Sequence, residues 1–172
     1  MARRLQQAGH TVHAWNRTQS KADPLAALGI AVHATVAEAV RQADIVVSLL
    51  ENGPAVEHVL FHAGAAQAMR PGTLFIDMAS IQPREARDHA ARLGEMGLAH
   101  LDAPVSGGTV GAENGTLAIM AGGRAEDFAR AQPVFAALGR ATHVGPHGSG
   151  QLAKLANQMI VGITIGAVAE AL

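Results

Sequence analysis

Short apolar runs alternate with amphipathic segments along most of this chain. Thr11–Trp15 is a strand-like run, and Lys21–Leu28 reads as a helix closed by Gly29. Ile30–His33 is a weak strand, followed by a helical segment over Val36–Gln42 with Thr35 as its N-cap. Asp44–Leu50 is continuously apolar and rich in β-branched residues, the pattern of a strand buried on both faces. Asn52-Gly53-Pro54 turns the chain into a helix carrying Val56, Val59 and Leu60 on one side. A second buried strand, Thr73–Asp77, precedes a helix over Gln82–Leu93 with Pro83 in its first turn, where proline is tolerated. Strands follow at Leu98–Asp102, Thr116–Ala121 and Ala141–Val144. Between the last two lies a helix over Glu126–Leu138 that Pro133 should kink or break. One long helix runs from Gly148 to the end. Such alternation predicts an α/β fold with an open, mostly parallel sheet and helices on both faces.

Composition narrows the function. With 49% hydrophobic and 16% charged residues in 172, the chain has enough apolar material for a real core. Net charge is −1, so no basic field exists to hold a nucleic-acid backbone or an anionic membrane. There is no cysteine, which excludes thiolate metal sites and cysteine nucleophiles. The longest apolar stretch, Met159–Ala169, falls short of the roughly 20 residues of a spanning helix. A soluble, cytoplasmic protein is expected. His58 and His62 have i, i+4 spacing, but no acid or cysteine completes a metal site around them in the sequence.

In open parallel sheets, ligands bind beyond the carboxyl ends of the strands, so the residues there are the candidates. Asn16-Arg17-Thr18 follows the first strand. In a dinucleotide-binding sheet an acid at this point would bond a ribose 2′-hydroxyl, whereas a neutral residue followed by arginine accommodates a 2′-phosphate. That favours NADP, with NAD as the lesser possibility. Asp102-Ala-Pro-Val-Ser-Gly-Gly108 supplies two glycines and the Ser106 hydroxyl as a cradle for a carboxylate. On the last helix, Lys154, Asn157 and Gln158 share a face beside Leu155, Met159 and Ile163. A lysine partly walled by apolar groups can exchange a proton near neutral pH. No G-x-G-x-x-G is present, and neither Gly107-Gly108 nor Gly122-Gly123 opens a helix with the spacing that could replace it.

Asp102–Gly108 and Lys154-Leu-Ala-Asn-Gln158 resemble the substrate-binding and catalytic motifs of the β-hydroxyacid dehydrogenase family. Ile76–Ile81 and Leu49-Leu50 resemble its cofactor-side loops. The resemblance implies a Rossmann-like fold whose first strand and glycine loop are missing. It implies an NADP-binding domain over 1–147, and over 148–172 the start of an interdomain helix leading to an absent all-helical domain. It implies Lys154 as the catalytic acid–base, with Ser106, Gly107 and Gly108 holding the substrate carboxylate and Asn157 orienting the substrate. Leu49, Leu50 and Ser80 would line the nicotinamide side, with Asn16, Arg17 and Thr18 at the 2′-phosphate. The family commonly has proline where this chain has Glu51. Small hydroxyacids or semialdehydes, such as 3-hydroxyisobutyrate or 2-hydroxy-3-oxopropionate, would be the substrates. Alternatives are an inactive fragment serving as a binding or assembly module, and an imine reductase-like enzyme, against which Lys154 argues. The resemblance further leads to an expectation of little activity from residues 1–172 alone, an interrupted sheet, and homo-oligomers formed through the last helix.

Overall fold

Residues 1–172 are described by a computed structural model. A short helix, α1 (Ala2–Gln7), leads into β1 (His13–Ala14), which pairs in parallel with β2 (Ala31–Val32) as a sheet of its own. Between them, two 3₁₀ segments, Gln19–Lys21 and Asp23–Leu28, replace the α-helix expected over 21–28. Gly29 ends the second in a left-handed conformation, as its position predicts. Next comes α2 (Val36–Val40), whose Thr35 cap forms a capping box with Glu38.

The main sheet begins at β3 (Ile45–Ser48), followed by α3 (Gly53–Glu57), a π turn over His58–His62 and α4 (Ala65–Ala68). Then come β4 (Leu74–Asp77), α5 (Pro83–Glu95), β5 (Ala99–Asp102), β6 (Val105–Ser106) and α6 (Gly108–Asn114). The chain finishes with β7 (Leu117–Gly123), α7 (Ala125–Leu138), β8 (Gly139–Gly145) and α8 (Ser149–Ala171). The strand order is β3-β4-β5-β7-β6, with β8 also paired to β7. The pairs β3–β4, β4–β5 and β7–β8 are parallel, while β7 runs antiparallel to β5 and β6. No pairing joins β1 to β3, so the sheet is interrupted there, as expected.

Successive residues of β4 point to opposite faces, and both faces are covered. Phe75 packs with Val56, Leu60 and Leu93 in one core cluster. Leu74 and Ile76 pack with Leu101, Ile119 and Phe135 in the other. All four residues of β4 are buried, but β3 is only half-buried throughout. Both its faces meet a core cluster, Val46 on one side and Ile45 and Val47 on the other, as expected, but with a single strand neighbour its free edge leaves it half-exposed.

Two more expectations change. α7 runs unbroken through Pro133, because the ring sits on its exposed side while Ala131, Val134 and Phe135 anchor the other. Gly107-Gly108 does open a helix: Gly107, at φ +132°, precedes α6, which Gly115 closes at φ +70°. Weak helix formers between those glycines hid this element from the sequence pattern. α8 is long and apolar enough to cross a membrane by length and composition, which the 11-residue run within it understated. Its residues beyond Leu155 are almost all exposed.

Candidate active site

Strands β4 and β5 end side by side at Asp77 and Asp102, which are in register and both fully buried. Asp102 holds the first turn of α8: the Gly148 amide donates to its Oδ1 at 2.7 Å and the Gln151 amide to its Oδ2 at 3.0 Å. A carboxylate at a helix N-terminus meets both unpaired N–H groups and the positive end of the dipole. Burial still raises its pKa above the ordinary value, those hydrogen bonds pulling the other way. Asp77 accepts the Ala79 amide at 3.0 Å through Oδ1, and its Oδ2 has no partner. Burial pushes Asp77 up to about 7, with the charges of Asp102 and Glu85 adding to the rise.

The junction permits no side chain at Gly150, where a Cβ would collide with the carbonyl oxygens of Asp102 and Met120. α8 therefore lies directly against the end of β5 and the middle of β7. Gln151, buried on its first turn, donates from Nε2 to the Ala79 carbonyl at 2.8 Å and accepts the Ile81 amide at 3.0 Å.

One turn along α8, Lys154 stands between two recesses. The larger, about 520 Å³, is lined by Leu49, Val105, Ser106, Gly107, Gly108, Thr109, Lys154 and Gln158, among others. The smaller, about 320 Å³, is lined by Asn52, Gly53, Pro54, Ser80, Gln82, Glu85, Lys154 and Gln158, among others. Desolvation lowers the Lys154 pKa from the ordinary lysine value, which favours proton exchange.

The structure thus gathers Lys154, Ser106, Gly107, Gly108 and Leu49 around one recess, with Ser80 joining Lys154 in the other. Leu50 instead turns half-buried onto the first core cluster. Asn157 lines neither recess: its Nδ2 donates to Gln158 Oε1 at 3.2 Å, and Gln158 takes the cleft position expected of it. Asn16, Arg17 and Thr18 follow β1 on the small sheet, outside both recesses. There the Thr18 amide donates to Asn16 Oδ1 at 2.9 Å, and Arg17 is exposed without an ion-pair partner. Sequence reasoning missed Thr109 and Gln151. The helix α6 that carries Thr109 was itself not legible, and a buried glutamine has no periodic signature. No three metal-ligating side chains come together; His58 and His62 only stack on each other, 5.8 Å between ring centres.

Chemically, the larger recess offers a serine hydroxyl and glycine backbone to an anion beside a lysine that can carry a proton. The smaller offers Ser80 and the turn after β3. Leu49 adds an apolar wall to the larger recess.

The family described as "NAD binding domain of 6-phosphogluconate dehydrogenase" matches residues 1–146. The whole chain is 42% identical to an NAD-dependent L-serine dehydrogenase of Pseudomonas aeruginosa, covering 58% of that protein. It is also 42% identical to a 2-hydroxy-3-oxopropionate reductase of Escherichia coli, covering 59%. A solved 3-hydroxyisobutyrate dehydrogenase from Mycobacterium tuberculosis with L-serine superimposes at TM-score 0.94 and 38% identity, over 99% of this chain and 58% of that one. The chain thus spans less than two thirds of the length of each.

Proposed function

Because the chain belongs to the family of the NAD binding domain of 6-phosphogluconate dehydrogenase, we propose that it forms the core of an NADP-linked hydroxyacid dehydrogenase. Residues 1–147 are the nucleotide-binding unit, and 148–172 the helix that presents the proton carrier. The observation that carries this reading is the meeting of Lys154, of lowered pKa, with Ser106-Gly107-Gly108 in one recess.

Leu49, Leu50 and Ser80 would line the nicotinamide side of a bound dinucleotide, which would supply or take a hydride. The chain's own groups do the rest. Ser106 Oγ and the Gly107 and Gly108 backbone hold the substrate carboxylate, fixing which carbon faces the ring. Positioning of that kind is a large part of the rate. Lys154 Nζ accepts the hydroxyl proton on oxidation and returns one to the carbonyl on reduction. Gln158, on the same face, reaches the recess where Asn157 does not, so it orients the substrate. Arg17, free of ion pairs, takes the 2′-phosphate, and Asn16 places no negative charge against it.

Substrates are small hydroxyacids or semialdehydes of the kind named for the relatives: 3-hydroxyisobutyrate, 2-hydroxy-3-oxopropionate or L-serine. This reading places the chain in the cytoplasm and makes α8 an interdomain helix. The exposed apolar residues of α8, Met159, Ile160 and Ile163 among them, support self-association, which light scattering measures.

The test is a chimera in which the flanking segments of the Escherichia coli reductase complete residues 1–172. Lys154→Ala should lower its kcat by about 10²–10⁴ while leaving NADPH affinity nearly unchanged. Arg17→Ala should remove most of a preference for NADPH worth roughly 1.5–3 kcal/mol. Unchanged turnover in Lys154→Ala contradicts the mechanism, and equal affinity for both nucleotides before mutation contradicts the choice of cofactor.

A further inference from the structure

We propose that Gln151 is a positioning residue, its buried carboxamide fixing the Ser80 loop against the turn of α8 that carries Lys154. Ala79 and Ile81 are buried while Ser80 between them is exposed, and the loop lines the recess with Ser80, Ile81 and Gln82. Gln151 grips both shoulders: Nε2 donates to the Ala79 carbonyl at 2.8 Å and Oε1 accepts the Ile81 amide at 3.0 Å. Its own backbone amide is fixed at 3.0 Å on Asp102, so the glutamine cannot follow the loop if the loop moves. Lys154 is three residues further along the same helix and lines the recess with Ser80. The side-chain hydrogen bonds that join the loop to α8 therefore come from one amide group. Without it, a buried carbonyl and a buried N–H lose their partners at once.

This assignment rests on reading Lys154 as the proton carrier and Ser80 as cofactor-side, but its test needs neither nucleotide nor turnover. The chain has two lysines, Lys21 and Lys154, so ¹³C-dimethylation gives two assignable lysine signals. In Gln151→Met, close in size but without the hydrogen bonds, the Lys154 titration midpoint should move up from its wild-type value. Exchange of the Ile81 amide hydrogen should quicken by about tenfold. Gln151→Glu keeps an acceptor for the Ile81 amide and should recover the slow exchange. Val134→Ala, a core truncation in α7, should leave both readouts in place.

If exchange quickens in Gln151→Met while the Lys154 midpoint stays, Gln151 merely staples the loop and the proposal falls. If Gln151→Met does not fold, Gln151→Glu and the wild type decide: fast Ile81 exchange in either of them overturns it. An unaltered kcat in Lys154→Ala would instead remove the proton-carrier reading while these two readouts stood.

Discussion

Asp77 and His100 oppose each other in the acid response of the fold. Burial holds Asp77 near 7 against an ordinary 3.8, so the folded protein keeps a proton that the unfolded chain releases. Its contribution falls as pH rises from about 4 to about 7. His100 is fully buried with neither ring nitrogen hydrogen-bonded, and burial pushes it down to about 3 from 6.5. Unfolding lets it charge, so its contribution falls as pH drops from 6.5 toward 3. Between pH 4 and 6.5 the two slopes have opposite sign and largely cancel. Asp77→Asn can still accept the Ala79 amide but no longer titrates. Relative to wild type, its stability should rise by about 1.4 kcal/mol per pH unit across that window, read from urea unfolding at several pH values. Parallel pH profiles for the two proteins would show that Asp77 is ionised in the fold. Neither residue's state was legible in the sequence, where Asp77 is simply the last residue of an apolar run.

At the scale of elements, α8 is held by backbone contact at one end and by little along the rest. Its two kinds of glycine should therefore respond in opposite directions. Gly150→Ala forces a methyl against the carbonyls of Asp102 and Met120, and should destabilise by roughly 1–3 kcal/mol. Gly162, mid-helix with open space at its Cβ position, should gain up to about 1 kcal/mol on becoming alanine. Thermal melts of the two variants check the pair; equal effects would mean α8 does not dock as described. Elements with strong local signals were legible: β4 from its continuous apolar run, α2 from Thr35, and the end of the 23–28 segment from Gly29. The illegible ones lack a local cause. α6 is bounded by glycines and built of weak helix formers. The exposure of β3 depends on which strand lies beside it, which no window of residues encodes. The continuity of α7 through Pro133 depends on which face of the helix meets the core.

Across the whole molecule, the candidate site draws on segments far apart in sequence that meet only where β3, β4 and β5 end beneath α8. The sequence motifs named most of its residues, since glycines, a serine and a lysine beyond strand ends carry their own chemistry. Asn157 and Gln158 were both placed on the face of Lys154; Gln158 lines the recesses and Asn157 stands beside it, one residue of rotation being about 100° on a helix. The central claim is that Lys154 faces a hydroxyacid site beside a dinucleotide. The most direct measurement is ¹³C-dimethyl-lysine NMR of the chimera with the Escherichia coli flanking segments, its Lys154 signal assigned by its loss in Lys154→Arg, titrated with 3-hydroxyisobutyrate in the presence of NADP⁺. The account predicts that the Lys154 signal shifts saturably while Lys21 stays fixed, and that Ser106→Ala weakens the response. A Lys154 signal that does not move at saturating ligand, or that moves only together with Lys21, would contradict it.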